Sequence, residues 1–248
     1  MTLDRRTLIS AALAAPLLFA SRAASAKQKV PPGVDWGKWF HDWFGRDFGM
    51  VGYYAEDNAA LLASKAPVDL VFMGDSITEG WFEKRPGFFT RGRIDRGISG
   101  QTTSQMVLRM MSDVVALHPR AVHIMGGTND IAGNTGPMTP QMSEDNIRAM
   151  TDIAQRQGIR VMIASVPPAA SFPWAPAVET RNAIAELNRR LTRLAGETGA
   201  TWVDYHPALD DGSGAMKAGL ASDGVHPTEA GYDAMAAVIE PVLRRVLA

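Results

Sequence analysis

Cysteine is missing from all 248 residues. That excludes a disulfide scaffold, thiolate metal sites, a cysteine nucleophile and a lipid-modified N-terminal cysteine. Net charge is nearly absent as well: 25 Lys and Arg stand against 26 Asp and Glu, a formal −1. Such a balance carries no electrostatic footprint for nucleic acid. Glycine and proline, at 23 and 15, fall far below collagen-like or low-complexity levels. No internal repeat and no long block of like charge is present. No apolar run reaches the roughly 18–20 residues of a membrane-spanning helix, so no stable membrane anchor is expected. At 46% hydrophobic and 21% charged residues, the composition is that of a soluble domain able to bury its own core.

The first 26 residues have a different character. Arg5-Arg6 precede an apolar run from Leu8 to Ala20, and Ala24-Ser25-Ala26 supplies a small-residue cleavage site. A basic start, a short apolar centre and an A-x-A end make a secretory signal that is removed. The pair in Asp4-Arg5-Arg6-Thr7-Leu8-Ile9 resembles a twin-arginine export signal, with an ordinary Sec signal as the alternative. The expected partner of the precursor is export machinery, and the expected location is periplasmic or secreted. Residues 27–66 then crowd Trp36, Trp39, Phe40, Trp43, Phe44, Phe48, Tyr53 and Tyr54 together. This reads as an N-terminal aromatic arm packed on the domain, or else as a sugar-binding platform.

From residue 67 to the end, strand and helix patterns alternate. Val68–Met73, Arg93–Ile98, Ala121–Met125, Ile159–Val166 and Thr201–Asp204 read as strands. Thr102-x-x-Gln105 reads as a capping box, opening a helix with Val107, Met110, Met111, Val114 and Leu117 on one face. Further helices are expected over about 141–157, around Ile184–Leu194, and from Tyr232 to Val246, the last kinked or broken at Pro241. Alternating strands and helices predict one parallel α/β sheet with helices on both faces. Binding sites in such folds lie at the carboxyl ends of the strands.

Four loop segments at those ends carry chemistry. Gly74-Asp75-Ser76 places a serine just past a strand at a helix start, where the field is locally positive, though serine is also an ordinary helix cap. In Gly97-Ile98-Ser99-Gly100, Gly100 can bring its backbone N–H close to a bound oxygen, or simply make a turn. Gly127-Thr128-Asn129-Asp130 offers an amide donor for a developing oxyanion, or a turn asparagine. Asp223-Gly224-Val225-His226 pairs an imidazole with a carboxylate three residues away, as a serine's base requires. His41, His118, His123 and His206 lack that pairing at a loop position. Gly126-Gly127 has no lysine to complete a P-loop. A Gly-x-Ser-x-Gly elbow fails at Gln101 and at Ser76.

Taken in order, the four segments resemble the blocks of the SGNH hydrolases, also called GDSL esterases and lipases, over roughly residues 67–247; Ile77 stands where the GDSL name has Leu. The resemblance implies a three-layer flavodoxin-like sandwich with five parallel strands. It implies Ser76 as nucleophile, His226 as base and then acid, and Asp223 as the residue orienting His226. Its oxyanion donors would be the backbone N–H groups of Ser76 and Gly100 and the side chain of Asn129. No cofactor and no metal are implied.

The expected function is a secreted serine esterase for short-chain acyl esters, acetyl foremost, on a small-molecule or glycan substrate. Trp81, Phe172 and Trp174 are candidate substrate-binding residues, since aromatic faces suit sugars and compact acyl groups. Three readings stay open beside it: a thioesterase or lysophospholipase, an O-acyltransferase using the same site, and a periplasmic glycan-binding protein that is not an enzyme.

Overall fold

Five short segments, four of them almost wholly apolar, assemble one parallel sheet. They are β1 (Leu70–Gly74), β2 (Arg93–Gly97), β3 (Ala121–Met125), β4 (Arg160–Ala164) and β5 (Thr201–Val203), in the order β2-β1-β3-β4-β5. The computed structural model describes Gly33 and residues 35–248, Arg91 excepted. Residues 1–26, read above as an export signal, and the side chains of Trp36, Trp39, Phe40, Trp43 and Phe44 lie outside the described residues. β1 and β3 are buried at every position, as strands covered on both faces must be. Gly74 is level with Gly97 on one side and with Met125 on the other, so three strands end together.

Nine helices stand among the described residues: α1 (Trp36–Arg46), α2 (Ala55–Ser64), α3 (Ser76–Lys84), α4 (Thr103–Asp113), α5 (Thr128–Ala132), α6 (Pro140–Arg156), α7 (Arg181–Thr198), α8 (His206–Leu209) and α9 (Glu229–Val246). α4, α6 and α7 pack side by side, while α3, α8 and α9 form a second group. The chain moves from β1 outward to β2 and then crosses back past β1 to β3. Right-handed crossovers in opposite directions put α3 on one face and α4, α6 and α7 on the other. This is the flavodoxin-like sandwich expected from the sequence. The reversal between β1 and β3 is the switch point where such sheets bind ligands. No helix among the described residues is long and apolar enough to cross a membrane.

Some boundaries differ from the sequence expectation, for visible reasons. β4 stops short of Val166 because the Asn188 side chain captures that residue's N–H and C=O, at 2.8 and 3.0 Å. α4 ends at Asp113 and a 3-10 turn follows at Val115–Leu117. α9 runs through Pro241 unbroken: the lost N–H bond is outweighed by burial of Met235, Ile239, Val242 and Leu243 along one face. The capping box at Thr102 is formed, Gln105 Oε1 accepting the Thr102 N–H at 3.1 Å.

The segment from Phe48 through α2 is tied to β2 and α4. Met50, Tyr53, Tyr54 and Ile98 form a small apolar cluster. Gln101 and Gln105 donate to the carbonyls of Gly49 and Phe48 at 3.0 and 2.7 Å. Asn58 accepts from Arg96 Nε at 2.9 Å and donates to Asp113 Oδ1 at 2.7 Å. These are buried polar groups, and each partner relieves a desolvation cost that an unpaired group would carry.

Candidate active site

The β1–α3 turn presents a hydroxyl that no capping duty consumes. Asp75, not Ser76, is the N-cap of α3, its Oδ1 accepting the Ile77 N–H at 2.9 Å. Ser76 Oγ lies 3.0 Å from His226 Nε2, a residue 150 positions further along. His226 Nδ1 lies 2.7 Å from Asp223 Oδ2. The other Asp223 oxygen accepts the N–H groups of Val225 and His226 at 3.0 and 2.8 Å, which folds the loop so that carboxylate and ring face each other. Burial pushes the Asp223 carboxyl up, but the backbone and ring donors of His226 and the Val225 N–H outweigh it. The net position is below the usual carboxylate range. An ionised acceptor at Nδ1 holds the proton there and leaves Nε2 to accept from serine.

The neighbouring loops close on the same point. Gly97 ends β2 so near α3 that a Cβ on it would sit 2.2 Å from the Glu79 backbone nitrogen; only glycine permits that approach. Gly100 has φ +80°, the left-handed turn that a side chain resists. Asn129 is buried in the first turn of α5. Its Nδ2 donates to Gln101 O at 2.9 Å and approaches Asp75 Oδ2 at 3.5 Å. Burial raises the Asp75 carboxyl to about 6. Asp130 Oδ2 accepts the Thr103 N–H at 2.9 Å, and Oδ1 accepts from Ser143 at 2.8 Å and from the Thr103 hydroxyl. One carboxylate thereby joins the Asn129 turn to the starts of α4 and α6.

The three aromatic candidates divide. Trp174 is 41% exposed, its ring 5.8 Å from that of His226. Phe172 is fully buried and stacks beneath Trp174 at 5.2 Å, so it supports the wall and meets no ligand itself. Trp81 is a correction too. It is sealed from solvent between Phe88 and Tyr232, at 4.6 and 5.7 Å. Five residues along a helix rotate a side chain about 140° from Ser76, which turns Trp81 into the core.

Sequence reasoning passed over three residues beside the site. Asn134 bonds Asn129, Gly100 and Trp174, but within Gly133-Asn134-Thr135-Gly136 it looks like a turn residue. Glu79 accepts from Ser99 N and Oγ, and its place one helical turn after Ser76 is the signal that could have marked it. Arg109 is wholly buried beneath Gln101, where hydrophobic periodicity cannot find a charge. Among the described residues no group of three His, Asp or Glu side chains is placed to hold a metal ion.

The sequence profile of the GDSL-like Lipase/Acylhydrolase family matches residues 72–234, which span every loop just described. The chain belongs to that family. A GDSL-like lipase of Bacteroides thetaiotaomicron is similar to this GDSL-family chain at 40% identity, covering 80% of this chain and 99% of its own, with a TM-score of 0.76. A protein of Bacteroides fragilis assigned as an acylhydrolase is 38% identical, covers 82% of this chain and 100% of its own, and has a TM-score of 0.77. A variant of Axe2, an acetyl xylan esterase of Geobacillus stearothermophilus, has a TM-score of 0.56 at 22% identity, covering 72% and 94%; this likeness concerns the fold alone. No curated protein matches the chain by sequence. Membership of the family makes this GDSL-family chain a candidate ester-hydrolysing enzyme.

Proposed function

We propose that this chain is an exported serine esterase that removes short acyl groups, acetyl foremost, from a small-molecule or glycan alcohol. The observation that carries the reading is the unbroken contact from Ser76 Oγ to His226 Nε2, at 3.0 Å, and from His226 Nδ1 to Asp223, at 2.7 Å. His226 takes the serine proton as Oγ attacks the acyl carbon, and Asp223 holds the imidazolium in place. The backbone N–H groups of Ser76 and Gly100 and the Asn129 amide receive the negative oxygen. At 3.5 Å from Asp75 the Asn129 Nδ2 makes no strong hydrogen bond there, so that hydrogen stays available to a closer acceptor. His226 then gives its proton to the leaving alcohol, and water repeats the sequence on the acyl-serine.

The half-exposed Trp174 beside His226 supports a sugar or compact apolar group at the mouth, since a rigid aromatic face suits both. The acetyl xylan esterase of similar fold points the same way. The N-terminal Arg5-Arg6, apolar run and Ala24-Ser25-Ala26 support twin-arginine export, cleavage, and a periplasmic or secreted location.

A panel of para-nitrophenyl esters from acetyl to palmitoyl, run on wild type and Ser76→Ala, tests the reading. Turnover should be highest for acetyl and fall with chain length, and Ser76→Ala should lose it by orders of magnitude while remaining folded. A variant as active as wild type, or a maximum at long chains, overturns it.

A further inference from the structure

We infer that Asn134 is a positioning residue that, together with Trp174, fixes which way the Asn129 amide faces; this rests on the esterase reading above. Asn134 touches three things at once. Its Oδ1 accepts the Trp174 indole N–H at 3.1 Å, and its Nδ2 donates to Asn129 Oδ1 at 2.9 Å and to Gly100 O at 3.2 Å. An indole nitrogen can only donate, so the end of Asn134 that faces Trp174 must be its oxygen. The NH₂ end must then face Asn129 and Gly100. Because that NH₂ can only donate, the end of Asn129 that faces it must be oxygen, and the Asn129 NH₂ is left pointing toward Gln101 O and the Asp75 carboxylate of the β1–α3 turn. The carbonyls of Gly100 and Gln101, which can only accept, demand the same assignment, so ring, amides and backbone agree on one orientation.

The consequence concerns both side-chain and backbone parts of the oxyanion site. Gln101 O holds the Asn129 NH₂ at 2.9 Å, but one anchor leaves an amide free to rock about its last torsion. The second anchor, at Oδ1, defines the plane and so the direction of the remaining hydrogen. The same Asn134 NH₂ grips the Gly100 carbonyl, in a residue held at φ +80°, and so restrains the turn that carries the Gly100 N–H. A donor aimed before the reaction starts is worth more than one that must reorient during it. Trp174 stands at the other end of the relay, at the mouth beside His226, so the residue placed to meet the substrate's alcohol also holds the orientation of an oxyanion donor.

The test is a double-mutant cycle of Asn134→Ala and Trp174→Phe on para-nitrophenyl acetate, with wild type and Ser76→Ala alongside. Phenylalanine keeps the stack on Phe172 but has no N–H to give. Asn134→Ala should lower kcat by about 10-fold or more, with KM moving less than about twofold and the melting temperature close to wild type. Trp174→Phe should lower kcat several-fold on this small acetate. In the Asn134→Ala background it should add almost nothing, since both changes cut one relay. Unchanged kcat in Asn134→Ala, a loss confined to KM, or two losses that multiply as independent effects would each overturn the inference. If wild type is inactive, or Ser76→Ala is as active as wild type, the esterase reading fails and takes this one with it. Active wild type beside inert Ser76→Ala isolates failure to Asn134.

Discussion

The Arg109 guanidinium and the Asp113 carboxylate meet at 2.7 Å with neither side chain exposed to solvent. Arg109 also donates to Gln101 Oε1 at 2.8 Å and to the carbonyls of Gly74 and Arg96 at 3.3 and 3.1 Å. One buried cation therefore joins the carboxyl ends of β1 and β2 to the loop that carries Gly100. Removing one partner of such a pair leaves an uncompensated charge, which costs about 3–5 kcal/mol. Arg109→Met should show that loss in urea unfolding, read as a lower midpoint. Arg109→Met combined with Asp113→Leu should recover a large part of it. A single variant within about 1 kcal/mol of wild type would mean that water or a neighbour compensates Asp113.

The Asp223 carboxylate is 39% exposed and His226 31%, so in the proposed mechanism water would share the task of stabilising the imidazolium. Asp223→Asn keeps the shape of the loop but removes the charge that favours a proton on Nδ1. General acid–base assistance is worth roughly 10²–10⁴, and the solvent access places this variant near the lower end, with kcat down by about 10². KM for para-nitrophenyl acetate should change little. Wild-type kcat in Asp223→Asn would leave His226 without a need for its partner.

Asp75 makes a prediction about pH. Its carboxyl sits at about 6 in the folded protein, raised from 3.8 chiefly by burial, with the Ile77 N–H and His226 pulling down and Asp130 pushing up. Between those two values the unfolded chain has given up the proton and the folded one retains it. Stability therefore falls as pH rises through this window and levels off above it. Asp75→Asn preserves the acceptor for Ile77 and removes the ionisation. The melting temperature of the variant relative to wild type should climb from about pH 4 to pH 6 and then hold. A difference that does not change with pH would show that Asp75 ionises as easily folded as unfolded.

What the sequence disclosed depended on whether a pattern was local. β1 is a continuous apolar run, β3 is one broken only by His123, and the capping box at Thr102 is a matter of four residues, so all could be read directly. The four loop segments that meet at the switch point were also legible, because each carries its polar residues within a few positions. α4 shows the limit. Its periodicity placed Met111 toward the core, yet Met111 is 59% exposed, while Gln105, Arg109 and Asp113 are buried. Apolar spacing cannot register a buried ion pair whose other partners, Gln101 and Asn58, lie on a different loop and a different helix. Trp81 was misplaced for a related reason: nearness to Ser76 in sequence says nothing of the helical angle between them. Asn134 needed the position of Trp174, forty residues away, before its amide had any meaning.

Glu79 links the N-terminal segment to the Gly100 loop, and its two oxygens can be tested separately. Oε1 accepts the Tyr53 hydroxyl at 2.8 Å, while Oε2 accepts Ser99 N at 2.8 Å and Ser99 Oγ at 2.5 Å. Hydrogen bonds to a charged acceptor hold geometry more firmly than neutral ones, and Ser99 immediately precedes the proposed oxyanion donor Gly100. Tyr53→Phe removes only the outer bond. It should cost about 0.5–1.5 kcal/mol in unfolding and leave kcat within about twofold of wild type, because Glu79 still grips Ser99. Glu79→Ala releases Ser99 altogether, and kcat on para-nitrophenyl acetate should fall by about 10-fold or more while KM shifts less. Glu79→Gln separates charge from shape. The Ser99 N–H can only donate, so the new amide must turn its oxygen to Ser99 and its NH₂ to Tyr53, whose hydroxyl can accept. Its kcat should lie between wild type and Glu79→Ala. If all three variants lose stability yet keep wild-type kcat, Glu79 ties the segment down without aiming the loop.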